Sequence, residues 1–536
     1  MIARAVWAAA VAAAVGPGAH GEAGWEVPLP DGRAVVEWVS PSSFRICREW
    51  TPGPRCQGGA RSENTSVSPV EAPDQVIFQT QYLRAEVSKR HGGVRVTNRE
   101  GTTIFEDLDG PRRLGHGISA RRRAVEKERF YGLAAASTQG ADLRGQIIET
   151  DWPFLISSRG YGIYHPQEGR YRFELATGVS SEWRISAAGE RVFEYWFYYG
   201  PTPKEILEEH KNVVAPPPAL RLWQLGVLQP GQEPRGSWKL SASPSWEGLR
   251  QSIRALVHGS LSARLVPVLD LSAYEEAPPE LMRRAVALGS VVPLVVSSLP
   301  GPSADEMAEA IGRLRQRRTR WSRFFLSYAD EIEVRGLPVI RPLAMQFPAD
   351  EEASRVDDAF LIGDEVLAAP VSSPGGCRSV YLPMGIWTEW RTNRVHPGRR
   401  RVTACAPEDE VPLYVKNGSL VPVASEEESG LIEVHYFPKL AGEFFLPEPE
   451  ANDYTQIHAA PALDTMRLEV ESKVTRSYEW VVHHVSRVRQ VRGATGLLRE
   501  VSEGRLRDGE WRQEGENLRV RVRVAAGSTD VSYVVF

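Results

Sequence analysis

Three stretches of different periodicity predict a multidomain, β-rich α+β chain. Residues 25–214 are short β-rich runs separated by Gly, Pro and Asp turns, residues 220–336 alternate strands with helices, and residues 337–536 return to strands and turns. Strand runs of the first kind predict a sandwich. Alternation of the second kind predicts parallel strands covered by helices. The 536 residues suffice for three or four domains at roughly 150 residues each. With 42% hydrophobic and 25% charged residues the composition is that of ordinary globular protein.

The elements follow in order. Arg4 precedes an Ala/Val stretch over 5–15, which breaks at Gly16-Pro17-Gly18 and leads to the small-x-small sites Ala19-His20-Gly21 and Gly21-Glu22-Ala23. That three-part form is a secretory signal peptide over 1–23 and predicts export; a merely alanine-rich leader has the same composition. A first β-domain over 24–218 contains Ala34-Val35-Val36-Glu37-Trp38-Val39, Tyr171-Arg172-Phe173-Glu174-Leu175 and Phe193-Glu194-Tyr195-Trp196-Phe197-Tyr198-Tyr199. It closes with a short helix over 203–210 and the stiff Pro216-Pro217-Pro218 linker.

The second region, 219–336, shows strands at 222–228, 264–271 and 291–296. Trp223 falls in the first of these and is predicted to be core. A helix beginning at Ser243-Pro244 carries Leu249, Ile253 and Leu256 on one face, and Pro278 and Pro279 open another with Leu281, Ala285 and Leu288. A long helix follows with Ser303 and Glu306 at capping-box spacing. Its face is Met307, Ile311 and Leu314, continued by Trp321, Phe325 and Tyr328. The remaining strands form two domains, 337–425 and 426–536, divided at Ser425-Glu426-Glu427-Glu428-Ser429-Gly430.

Charge and cysteine content exclude several classes. Lys plus Arg is 64 against 68 Asp plus Glu, a net charge of −4 without basic blocks, so nucleic acid is not an expected partner. No apolar run reaches the ~20 residues of a membrane span. In an exported chain the four cysteines read as disulfides. Cys47 and Cys56 enclose a Pro/Gly loop and Cys377 and Cys405 flank a predicted strand pair, so local pairing is simplest, although four cysteines allow three pairings. No Cys/His spacing suggests a metal site, and no cofactor is predicted.

Several segments resemble glycoside hydrolase family 31, the α-glucosidase and α-xylosidase family. They are Phe130-Tyr131-Gly132-Leu133; Pro153-Phe154 with Ser158-Arg159-Gly160-Tyr161-Gly162; Tyr199-Gly200-Pro201-Thr202-Pro203-Lys204-Glu205; and Leu222-Trp223-Gln224-Leu225-Gly226. Nearly verbatim are Gly336-Leu337-Pro338-Val339-Ile340-Arg341-Pro342-Leu343 with Phe347-Pro348, Gly363-Asp364-Glu365-Val366-Leu367-Ala368-Ala369-Pro370-Val371, and Pro412-Leu413-Tyr414-Val415-Lys416-Asn417-Gly418-Ser419. The resemblance implies a galactose-mutarotase-like N-terminal β-sandwich, a (β/α)8 barrel and two C-terminal β-sandwiches. It also implies retaining hydrolysis of α-glycosides by a nucleophilic carboxylate and an acid.

The chain departs from that pattern where the chemistry would lie. Residues 220–336 number 117, against roughly 250 for a complete barrel. Between Leu228 and Trp238 there is room only for a turn, so the resemblance implies a truncated barrel remnant without the nucleophile strand. Trp238 and Trp246 keep the spacing of the family's Trp pair, but the acid position falls on Ser241, whose hydroxyl is no general acid near neutral pH. Asp270 survives in Pro267-Val268-Leu269-Asp270-Leu271-Ser272-Ala273-Tyr274, whereas the family's sugar-holding Arg and His are replaced at Val296-Ser297-Ser298.

The candidate site residues are therefore Asp270, as a catalytic or sugar-binding carboxylate or as a cap for the next turn, and Trp238 and Trp246, as sugar platforms or as packing. Glu275 and Glu276 could join Asp270, and Ser241 with His258 is a remote Ser/His pairing lacking an orienting acid. Asp357-Asp358 reads as structural, and Asn64-Thr65-Ser66 is a glycosylation sequon. Two functions stay open. One is a secreted family-31 homologue that has lost catalysis and keeps a carbohydrate-binding or scaffolding role. The other is an active or weakly active retaining α-glycosidase. The open face of three parallel strands requires a cover: the first domain, the long helix, or a second copy in a homo-oligomer.

Overall fold

The computed structural model describes residues 20–21, 24–57, 67–115, 117–135, 137–189, 192–240, 243–298, 306–494 and 496–536. Ser241, Ser303, the sequon at Asn64 and, apart from the backbone of His20–Gly21, the signal-peptide segment lie outside them. The molecule is β-rich and multidomain with few helices, and divides into two units, Met1–Phe130 with Leu143–Val213, and Tyr131–Asp142 with Val214–Phe536.

The first unit is built on antiparallel sheets. One runs in the order Gly24–Leu29, Gly32–Ser40, Ser43–Trp50, Phe193–Tyr199, Tyr161–Tyr164, Phe154–Ser157. Alternating apolar residues from these strands meet in an aromatic core in which Phe44 and Tyr161 each stack on Phe197, with centroids 5.0 and 5.9 Å away. Arg122 is fully buried there and is tolerated because it pairs with Asp107 at 3.0 Å and lies over the Trp183 and Tyr195 rings.

The second unit opens with a four-stranded parallel sheet in the order Val227–Leu228, Leu294–Val296, Val266–Asp270, Ser237–Lys239. The stretch expected as its first strand, 222–228, differs. Leu222–Leu225 is a 3₁₀ turn because the Gln224 side chain accepts from the Arg221 backbone N–H at 2.7 Å, leaving only two residues extended. That turn lifts Trp223 outward to 58% exposure, so it is not core. Ser237–Lys239 is an additional strand, hidden in the sequence by the Pro and Gly residues before it. Val268 and Leu269 point to opposite faces and are both fully buried, so both faces of the sheet are covered within one chain and no second copy is required for that purpose.

Helix Trp246–Ser260 starts after Ser245, whose hydroxyl accepts from the Gly248 N–H at 3.0 Å, two residues later than the sequence indicates. Helices Pro279–Leu288 and Glu306–Arg335 follow, and the long one buries Met307, Ile311, Leu314, Phe325 and Tyr328 as its periodicity requires. It also buries Arg318, which donates to the carbonyls of Gly226 (3.0 Å), Gly289 (2.6 Å), Val292 (2.7 Å) and Pro293 (2.5 Å). One guanidinium thus ties the long helix to the N-terminal ends of the parallel strands.

The third domain is a six-stranded sheet from Ile340–Pro342 to Val395–Pro397, with a separate two-stranded antiparallel sheet of Cys377–Leu382 and Arg400–Cys405. Two further six-stranded sheets complete the chain. The first of them begins at Leu420–Ala424, which pairs with Ile432–Tyr436, so the distal sheets start before residue 426.

Candidate functional site

Parallel strands direct the side chains that follow them to one end of the sheet. Here that end collects Lys239, Asp270, Ser272 and Ser298, joined by Glu233 from the turn after the first strand and Glu275 from the turn after the third. Lys239 lies between two carboxylates, with Nζ 3.2 Å from Asp270 Oδ2 and 3.3 Å from Glu233 Oε1. The hydrogen bond to Asp270, with the one to Glu233 second, holds its ammonium above the ordinary lysine value. Burial opposes ionisation of Glu233, but hydrogen bonds from backbone N–H groups and from Lys239 outweigh it and keep that carboxyl below its ordinary value.

Asp270 Oδ1 accepts from the Ser272 N–H at 3.1 Å and so caps the Leu271–Tyr274 turn. The Ser272 hydroxyl accepts from the Ser298 N–H at 3.2 Å, and the Ser298 hydroxyl donates to Glu275. Asp270 is therefore both a turn cap and a member of a surface ion triad. Glu275 and Glu276 are exposed, and Glu275 is engaged by the Ser298 hydroxyl rather than joined to Asp270. The rim presents a paired lysine, capped or exposed carboxylates and serine hydroxyls. A lysine held in its charged form is a poor proton donor at neutral pH, and so the rim can bind hydroxyl-rich ligands more readily than it can protonate a leaving group.

The tryptophans are placed apart from this chemistry. Trp238 Nε1 donates to the Arg264 carbonyl at 3.1 Å, the Arg264 guanidinium covers its ring at 4.1 Å from the centroid, and a side chain on Gly259 would strike its edge. Trp238 is thus committed to packing. Trp246 is half-buried at the first position of its helix. His258, on the same helix, is fully buried, and burial above all takes its pKa down to about 4. Asp357 accepts from the Gly140 N–H at 2.7 Å and pairs with Arg254 at 3.2 Å, a structural role.

Cys47 bonds to Cys56 and Cys377 to Cys405. Lys239 and Glu233 were not singled out by sequence reasoning. The one available signal was that Lys239 is among only eight lysines in a chain whose other basic residues are arginine. Among the described residues no group of three or more His, Cys, Asp or Glu is arranged to hold a metal ion, and no helix is long and apolar enough to cross a membrane.

Residues 336–421 match the glycosyl hydrolase family 31 C-terminal domain. The chain is 28% identical over 208 residues to the "Probable glucan 1,3-alpha-glucosidase" of Arabidopsis thaliana, covering 37% of this chain and 23% of that protein. It is 24% identical over 205 residues to an alpha-glucosidase of Saccharolobus solfataricus, covering 35% and 29%. The matched stretch therefore spans about a quarter of these relatives' length. In fold the chain is similar to a family 31 dextranase of Flavobacterium johnsoniae solved with glucose, with a TM-score of 0.80 at 14% identity over 95% of this chain and 97% of that one.

Proposed function

The chain is a relative of glycoside hydrolase family 31, and from that premise we propose that it is an exported, carbohydrate-binding homologue of the α-glycosidases that no longer hydrolyses glycosides. The observation that carries this reading is the strand order of the parallel sheet. In chain sequence the strands are first, fourth, third, second across the sheet. In a closed (β/α)8 barrel the last strand pairs with the first. A barrel that kept its closing pair and the strands before it would have this order, which supports a truncation between Leu228 and Ser237, where only residues 229–236 lie. On the family resemblance, a truncation there would remove the strand that carries the nucleophile.

Retaining hydrolysis uses two carboxyl groups about 5–5.5 Å apart, one attacking the anomeric carbon and one protonating the leaving oxygen. The rim offers Asp270 engaged by Lys239 and by a backbone N–H, and Ser241 stands where the acid is expected. Binding survives such losses because it needs only hydroxyl partners and shape, whereas turnover needs a proton donor in its acid form.

Aryl α-glucoside, α-xyloside and α-galactoside should give no turnover at high protein concentration, with Asp270→Asn indistinguishable from the native chain. Turnover abolished by Asp270→Asn would instead establish an active glycosidase rebuilt on this rim. Cleavage of the signal segment on expression with an export pathway, read by mass spectrometry of the mature N-terminus, tests the export component.

A further inference from the structure

At the opposite end of the parallel strands, in front of Leu294–Val296, a cavity of about 360 Å³ lies among the Ser290–Val291 turn, the long helix and the third domain. Trp321, on the helix, and Trp390, just after the Ile386–Glu389 strand, form its aromatic corner, with ring centroids 5.1 Å apart and planes inclined at 55°. Each ring is fixed from behind, Trp390 by His435 at 4.6 Å and Trp321 by Phe324 at 5.5 Å. Cys405, tied to Cys377, lines another wall.

The charged lining is balanced. Arg317, Arg320 and Arg391 face the cavity together with Glu389, Glu410 and Glu426. Arg320 holds Glu426 at 2.7 Å and Glu433 at 3.1 Å, and Arg317 holds Asp409 at 2.9 Å. Cations already matched by carboxylates leave little net field for an anion. Their guanidinium N–H groups and carboxylate lone pairs remain fixed donors and acceptors. Rigid aromatic faces beside such donors and acceptors suit a ligand with apolar C–H faces and a hydroxyl edge.

We propose that this cavity binds a neutral mono- or disaccharide, at a site separate from the Asp270 rim. The volume falls in the range of small-molecule sites, roughly 300–1,000 Å³, and every wall comes from the second unit. The proposal stands whether or not the rim retains turnover.

Isothermal titration with glucose, maltose, isomaltose and, separately, inorganic sulfate tests it. The native chain should bind at least one of the sugars saturably. Trp321→Ala and Arg391→Ala should each weaken that binding roughly tenfold, the loss of one anchoring contact. Arg391 is exposed, so its variant keeps the test valid if Trp321→Ala fails to fold. No sugar binding up to roughly 10 mM, ten times a ~1 mM dissociation constant, would overturn the proposal. So would sugar binding that is indifferent to both variants, binding lost only in Asp270→Asn, or saturation by sulfate alone.

Discussion

The third domain and the rim of the parallel sheet both carry clusters of charge, and they differ in whether the central cation is reached by water. In the third domain Arg341 is fully buried, pairs with Asp364 and with Glu331 at 2.8 Å, and lies over the Tyr328 ring, while the Tyr328 hydroxyl donates to Glu365. At the rim the Lys239 side chain is 56% exposed, although its partners Asp270 and Glu233 are largely covered. Removing a partner of a fully buried guanidinium strands its charge away from water, whereas an exposed lysine is re-solvated at small cost. The segments nearly verbatim with family 31 are those that build the closed network, and the departures gather at the rim. Family likeness in this chain follows what holds the fold together.

The largest expected effect probes the closed side. Trp387 is fully buried and its indole donates to the Pro383 carbonyl at 2.9 Å. Trp387→Ala should cost about 4 kcal/mol, read as lost hydrogen-exchange protection in the Ile386–Glu389 strand. A loss no larger than that of a rim variant would erase the contrast. Next is the tether between the long helix and the sheet. Arg318→Met leaves four buried carbonyls without that donor and should cost about 3 kcal/mol, read by urea denaturation. Full stability in the variant would show that other packing carries the tether.

Acid should act with opposite sign on the third domain and on the helix Trp246–Ser260 that flanks the parallel sheet. Burial, then the charge of Asp364, raises the Glu365 carboxyl to about 7. The native state holds that proton between pH 4.5 and 7 where the unfolded chain releases it, so this contribution is present below pH 4.5 and lost as pH rises through 7. His258 is the reverse. With its pKa lowered to about 4 the folded imidazole refuses a proton that the unfolded one takes up below 6.5. Its contribution is full above pH 6.5 and lost as pH falls towards 4. Each amounts to about 3 kcal/mol. Glu365→Gln should flatten the first dependence and His258→Gln the second, measured by hydrogen exchange of the Val366–Ala368 strand and the Trp246–Ser260 helix. A shared slope in both regions would contradict the assignment.

The smallest effect belongs to the rim. Asp270→Asn keeps an oxygen to accept from the Ser272 N–H and loses only the half-exposed Lys239 pair. It should shift stability by less than about 1 kcal/mol, seen as a nearly unchanged thermal midpoint. A large loss would make Asp270 part of the fold's closed network.

Much of this architecture was legible from local pattern. The apolar spacing of the long helix, the alternation in the sandwiches and the shortness of residues 229–236 are properties of neighbouring residues, and the helix face and strand content follow from them. The 3₁₀ turn at Leu222–Leu225 was not, because one side-chain hydrogen bond from Gln224 overrode an extended pattern. Trp223 was misplaced for the same reason. The strand Ser237–Lys239 was hidden because three residues beside Pro234 and Gly236 read as a turn until a neighbouring strand pairs with them.

By itself the sequence determined which residues could form helices, strands and buried faces, where family likeness lay, and that position 241 is a serine. Tertiary structure alone decided that Lys239 would stand between Glu233 and Asp270, that Arg318 would go inside, and that Trp321 would meet Trp390. The reason is physical. Periodicity is set by the backbone geometry of adjacent residues, while these pairings depend on the order in which distant strands and helices come together.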